Sequence, residues 1–105
     1  MVSMIDIENL AQRIVREFDP DKIILFGSYA RGTAGPDSDV DLLVVLPFEG
    51  KPFWKSLEII NRLDPQFALD LIARNPLDTT RRYTQRDPLI HDAIDHGRLL
   101  YERCA

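Results

Sequence analysis

The sequence predicts an α/β (α+β) fold, a mixed β-sheet flanked by helices, and three observations carry that prediction. Two short β-branched, Leu-rich runs, residues 22–26 and 40–46, have the length and character of buried strands, and residues 67–73 and 98–102 supply two more. The stretches between them place apolar residues at helical spacing. The connector between the first two runs has only Tyr29 to Ser38 separating Ser28 from Asp39, too few residues for a parallel crossover. Those two strands are therefore expected to be antiparallel, in a sheet layered with helices.

Each element has its own signal. Ile7, Leu10, Ala11, Ile14, Val15 and Phe18 form one helical stripe, opposite Glu8, Gln12, Arg13 and Arg16, giving a first helix over 5–18 that stops before Asp19-Pro20. Phe53, Trp54, Leu57, Ile60 and Leu63 space as a second helix, entered from the loop 47–52 and broken by Asp64-Pro65. Trp54 could stack a nucleobase; beside Phe53 near a helix start, its expected role is packing. Asp87-Pro88 opens a last helix whose Leu89, Ile90, Ala93 and Ile94 face inward, with Gly97 as its C′ residue. Arg81, Arg82, Tyr83 and Arg86 form a positive cluster, read either as a phosphate or partner contact or as a solvated helix face. His91 and His96 are five apart and do not share a helix face as a metal pair would, so both are read as surface or helix-end residues.

The connector carries the chemistry. Gly27-Ser28 lets a ligand approach the backbone and adds a hydroxyl, and Ser28 is a suitable N-cap for a short helix whose free N–H groups favour an anion. Asp39 and Asp41 sit two apart at the mouth of the second strand, so alternation turns both carboxylates to one face. Antiparallel pairing brings the phosphate seat against these acids, and carboxylates held that close call for a divalent cation, with Mg²⁺ suited to carboxylates plus substrate phosphates. A Walker loop is excluded by the absence of lysine, a dinucleotide fingerprint by the glycine spacing, and an EF-hand by Leu42 and Phe48 at its required Gly and Glu positions. Asp70, with apolar flanks in the third strand, is a further acid that needs a partner: a metal, or an arginine such as Arg74.

Gly27-Ser28 with Arg31-Gly32, then Ser38 and Asp39-Val40-Asp41, resembles the signature of the DNA polymerase beta-like nucleotidyltransferase superfamily. The chain most resembles the minimal nucleotidyltransferases, often the antitoxin half of HEPN/MNT toxin–antitoxin pairs. The resemblance implies the polymerase beta-like fold over a single domain, residues 1–105, and Mg-dependent transfer of NMP, AMP from ATP, to a hydroxyl. It implies Asp39, Asp41 and Asp70 as catalytic residues and ligands of two Mg²⁺ ions, with Asp70 helping to deprotonate the acceptor. Gly27, Ser28 and Arg31 would bind the phosphates, Arg31 alternatively holding the turn. The chain stops soon after this core, so the acceptor is expected on another chain, a tyrosine of a HEPN-type toxin, in a hetero-oligomer. A non-catalytic contact inhibitor and the catalytic subunit of a small-molecule, aminoglycoside-type nucleotidyltransferase are the alternatives.

Composition bounds the partners. At 105 residues, 45% hydrophobic and 29% charged, the chain matches one soluble globular domain. A net charge of −4 argues against tight sequence-independent nucleic-acid binding. Cys104 alone allows neither an intrachain disulfide nor a cysteine metal cluster, and no run is long and apolar enough for a membrane span; a cytoplasmic location is expected.

Overall fold

The computed structural model describes residues 1–104 as a four-stranded sheet in the order β3-β2-β1-β4 with helices on both faces. In chain order the elements are α1 (Met4–Phe18), β1 (Lys22–Phe26), α2 (Ser28–Arg31), β2 (Val40–Val45), α3 (Pro52–Leu63), β3 (Leu69–Arg74), α4 (Pro76–Thr84), α5 (Pro88–His96) and β4 (Arg98–Glu102). β1 pairs antiparallel with both β2 and β4, and β2 pairs parallel with β3, so the sheet is mixed.

Strand alternation divides the core in two. Ile23, Leu25, Leu42, Val44, Leu71 and Ala73 point to one face, where Ile7, Leu10, Ala11 and Ile14 of α1 and Ile59 and Leu63 of α3 cover them. Ile24, Phe26, Leu43 and Val45 point to the other, where Ile90 and Ala93 of α5 are buried against them. Helices α1 and α3 end alike: Asp19 and Asp64 each take a left-handed conformation before a proline, and each amide bonds back into the last turn. Ser3 caps α1 by accepting from the Asp6 amide, and Asp87 caps α5 by accepting from the amides of Leu89 and Ile90.

Several expectations are corrected. The third strand begins at Leu69 rather than at Phe67, because residues 66 and 67 still bend away from the end of α3, and it runs on through Arg74. Asn75-Pro76 ends that strand and also starts a helix, α4, with Pro76 in its first turn; the arginine cluster up to Arg82 rides on it. Trp54 is not a core residue: it is 62% exposed and packs edge-to-face with Phe53, itself 65% exposed, because the buried stripe of α3 runs through Ile59 and Leu63. His91 and His96 are at the surface as expected, His91 stacked on Tyr83 and paired with Asp95.

Gly97 closes α5, but not as a left-handed C′ residue; its φ is −79° and its ψ 173°. Its requirement is space. A Cβ there would stand 2.2 Å from the Ala93 carbonyl oxygen, 2.7 Å from Ile24 Cγ2 and 2.8 Å from the Leu25 carbonyl oxygen. Two of these are backbone atoms that cannot swing away, so Gly97→Ala is expected to cost about 2–3 kcal/mol by overpacking. Chemical denaturation should show a lower midpoint with an unchanged slope.

Candidate active site

The sheet gathers the acids at one end. Antiparallel register sets Phe26, the last residue of β1, opposite Asp41 near the start of β2, and parallel register sets Asp41 beside Asp70 near the start of β3. Alternation places Asp41 with Leu43 and Val45, and Asp70 with Ile72 and Arg74, so both acids lie on the α4/α5 face. Gly27 follows Phe26 directly and faces Asp41 so closely that an added Cβ would fall 2.2 Å from Asp41 Oδ2. Gly27, Asp41 and Asp70 thus form a line across three strands.

α2 is built around that glycine. Gly27 has φ 73° and ψ −152°, a conformation reserved for glycine, and it occupies the N-cap position expected of Ser28. Ser28 is instead the first helical residue. The Gly27 carbonyl accepts from the amides of Ala30 and Arg31, which leaves the N–H groups of Ser28 and Tyr29 outside the intrahelical bonding. The Tyr29 hydroxyl accepts from the Val2 amide and ties this short helix to the start of the chain. Arg31 is exposed and pairs with Asp92 of α5 at 3.8 Å, a contact that fits the turn-holding alternative.

The electrostatics single out Asp41. Its pKa is pushed up from 3.8 to about 6, first by burial, then by the charges of Asp70 and Asp39 and a hydrogen bond with Asp70, with Arg31 opposing. Asp70 itself is exposed, since it opens an edge strand, and Arg74 does not pair with it: Arg74 Nε lies 3.9 Å from Asp78 instead. The salt-bridge alternative for Asp70 is therefore not the one adopted. Asp39 is also exposed, and among the described residues no three His, Cys, Asp or Glu side chains stand close enough together to form a metal-holding group. Asp41 and Asp70 make the pair, and Asp39 adds its charge from outside it. This donor set still fits a hard divalent cation: it is all-oxygen and anionic, and neighbouring carboxylate charge helps burial to raise the pKa of Asp41.

Two cavities flank the sheet. One, about 620 Å³, lies along β3 and takes in Asp70 together with Lys51, Arg74 and Arg82. Sequence reasoning passed over this grouping, although the alternation Asp70, Ile72, Arg74 already puts Arg74 on the face of Asp70. The other, about 420 Å³, lies at the far end of the sheet by Lys22, Val45 and Tyr83, and none of the three acids lines it.

A family profile described as nucleotidyltransferase domain matches residues 7–100. A protein of Methanocaldococcus jannaschii, provisionally named a protein adenylyltransferase, is 54% identical over 41 residues, which are 37% of this chain and 28% of that relative's length. Among solved structures, a Sulfolobus solfataricus protein provisionally described as a nucleotidyltransferase superposes with a TM-score of 0.67 at 19% identity, over 95% of this chain and 80% of its own. A chain from the complex of a tri-AMPylated Shewanella oneidensis HEPN toxin with MNT antitoxin gives 0.54 at 19% identity, over 95% of this chain and 72% of its own. At these identities the likeness is one of fold.

Proposed function

The chain belongs to the nucleotidyltransferase domain family, and we propose that it transfers AMP from ATP to a hydroxyl group on a partner protein, a tyrosine of a HEPN-type toxin, and so acts as an antitoxin. The observation that carries this reading is the line Gly27–Asp41–Asp70, in which a positive-φ glycine at a helix start, a carboxylate of raised pKa and a second acid stand side by side. The provisional name of the M. jannaschii relative and the AMPylated toxin in the S. oneidensis complex support adenylate as the group and a HEPN-type chain as the acceptor.

The acceptor oxygen attacks the α-phosphorus, a P–O bond forms, and the bond to pyrophosphate breaks. Asp39, Asp41 and Asp70 would hold Mg²⁺, two ions in this reading, which when bound stabilise charge on the attacking and leaving oxygens. The N–H groups of Ser28 and Tyr29, free of helical bonding, receive the β- and γ-phosphates, and glycine at 27 lets them come close. Asp70, the more exposed acid, accepts the proton of the acceptor hydroxyl. Arg31 adds positive charge on the phosphate side while its pairing with Asp92 fixes the turn.

The test mixes the protein with Mg²⁺, α-labelled ATP and a candidate HEPN-type toxin, beside the Asp39→Ala/Asp41→Ala double variant. Label is expected on the toxin with the wild type and at least about a thousandfold less with the variant. Toxin inhibition that survives the double substitution, with no label transferred, would replace the enzyme by a contact inhibitor.

A further inference from the structure

The cleft along β3 lies on the acceptor side of the site. In the order β3-β2-β1, Asp70 and the phosphate seat at Gly27 stand on opposite sides of Asp41. An in-line displacement brings its attacking oxygen in from the side opposite the leaving pyrophosphate. The acceptor therefore arrives over β3. That strand is the edge of the sheet, and the space beside it, about 620 Å³, is of the size that takes a ligand.

Its chemistry is divided. Phe53 and Leu57 of α3 and Ile72 of β3 give an apolar wall, whereas Lys51, Arg74 and Arg82 give three cations against the single carboxylate of Asp70. This stands out in a chain of net charge −4. Arg82 is held by Asp78 at 2.9 Å and Asp87 at 3.1 Å, whereas Arg74 has only a long contact to an acid, Nε to Asp78 Oδ2 at 3.9 Å. Its Nη1 donates to the Ala73 carbonyl at 3.0 Å, and its Nε is buried with no hydrogen-bond partner. The side chain keeps 22% of its surface exposed, and there an arriving anion can meet its charge. Burial and the like charge of Arg82 press the Arg74 pKa downward, with the charges of Asp78 and Asp87 opposing them.

We propose that this cleft is the acceptor subsite, and that it takes an extended acidic peptide segment of the partner chain: the acceptor hydroxyl at Asp70, a carboxylate at Arg74 and Arg82, and apolar side chains on Phe53 and Leu57. The proposal rests on the transferase reading above. Asp70 and Arg74 are four residues apart on one strand face, a separation of about 13 Å, so the carboxylate sits roughly three or four residues from the acceptor in an extended chain. A peptide suits the cleft better than a nucleic acid, since the cations are confined to one end of an apolar wall and do not track a phosphate backbone.

The test uses synthetic tyrosine peptides carrying Glu, Gln or Lys four residues from the tyrosine, titrated into ¹⁵N-labelled protein with Mg²⁺ and a non-hydrolysable ATP analogue, and separately assayed for adenylate transfer with Mg·ATP. The Glu peptide is expected to bind about tenfold tighter than the Gln peptide at low salt, to shift the amides of Phe53, Ile72 and Arg74, and to be the preferred acceptor. Arg74→Gln should erase the Glu-over-Gln preference, and the peptide series on the wild type needs no variant to be decisive. Equal binding of the Glu and Gln peptides, or shifts away from β3 and α3, would overturn the proposal. AMP shifting the same amides in place of the Glu peptide would overturn it too, by giving the cleft to a nucleotide phosphate. Glu-selective binding in the cleft without transfer would keep the peptide site and remove the transferase reading instead.

Discussion

Asp41→Asn should make the metal-free protein more stable while removing at least a thousandfold of its transfer activity. The two effects have one cause. In the wild type the Asp41 carboxylate is partly buried, hydrogen-bonded to Asp70 and within the field of Asp39, and its pKa rises from 3.8 to about 6. A folded-state pKa above the unfolded value means that the fold prefers the protonated form. The stability this group contributes is fully present below pH 3.8 and is lost as pH rises through about 6. A shift of that size corresponds to about 3 kcal/mol if wholly effective, and solvent screening at a partly exposed group reduces it to on the order of 1–2 kcal/mol. Asn keeps the shape and removes the charge. At pH 7.5 the variant should therefore melt some 4–8 °C higher per kcal/mol recovered, and it should lose the wild type's gain in stability between pH 7 and pH 5. Added Mg²⁺ should raise the melting temperature of the wild type and leave that of the variant nearly unchanged. Equal melting temperatures for the two metal-free proteins at pH 7.5, with no difference in their pH profiles, would mean that the cluster stores no such strain. The arrangement is a stability–activity trade-off: the carboxylates that would hold a cation repel one another without it.

How far the sequence carries is seen in particular residues. β1, α5 and β4 have the bounds expected of them, since each combines an apolar pattern with a boundary residue whose effect is local: Pro20 before β1, Asp87-Pro88 before α5, Gly97 before β4. The antiparallel β1–β2 pair follows from connector length alone, and it is what places Gly27 against Asp41. What was not legible depends on which neighbours an element acquires. The apolar flanks of Asp70 suggest a buried strand, but β3 turned out to be an edge, and an edge leaves the first acid of the strand open to solvent. Trp54 looks like core by its spacing, yet the face that α3 turns to the sheet carries Ile59 and Leu63. Ser28 has the chemistry of a cap, and a positive-φ glycine took the position because the chain must turn sharply beside Asp41. Arg74 was weighed only as a partner for Asp70. Its nearest acid, Asp78, lies in the first turn of a helix that the sequence offered only as one reading of the arginine cluster, with no start assigned to it.

Gly27→Ala is expected to cost the site more than the fold, and this separates it from Gly97→Ala. Both substitutions put a Cβ 2.2 Å from an oxygen atom. At Gly97 that oxygen belongs to the backbone, so the whole cost falls on stability. At Gly27 it is Asp41 Oδ2, the far end of a side chain that can rotate, with Asp41 Cγ at 3.1 Å and Cβ at 3.4 Å. Rotation relieves the clash, but it takes the carboxylate off its position beside Asp70. The backbone adds its own term, because φ 73° with ψ −152° is a region that an alanine enters only under strain of about 1–3 kcal/mol. Gly27→Ala should therefore lose about 1–3 kcal/mol of stability and at least a hundredfold of transfer activity, since displacement of a reacting group by about an ångström has effects of that order. The double variant Gly27→Ala/Asp41→Asn separates the two contributions. With the charge gone, the rotated side chain no longer matters electrostatically, and the remaining loss of stability relative to Asp41→Asn is the backbone strain at residue 27 together with the steric displacement of the side chain at 41. If Gly27→Ala keeps full activity while losing stability, the close approach of the glycine to Asp41 is incidental to the chemistry. If it loses activity at nearly unchanged stability, the glycine is there to let the carboxylate and the phosphate seat share one corner of the sheet.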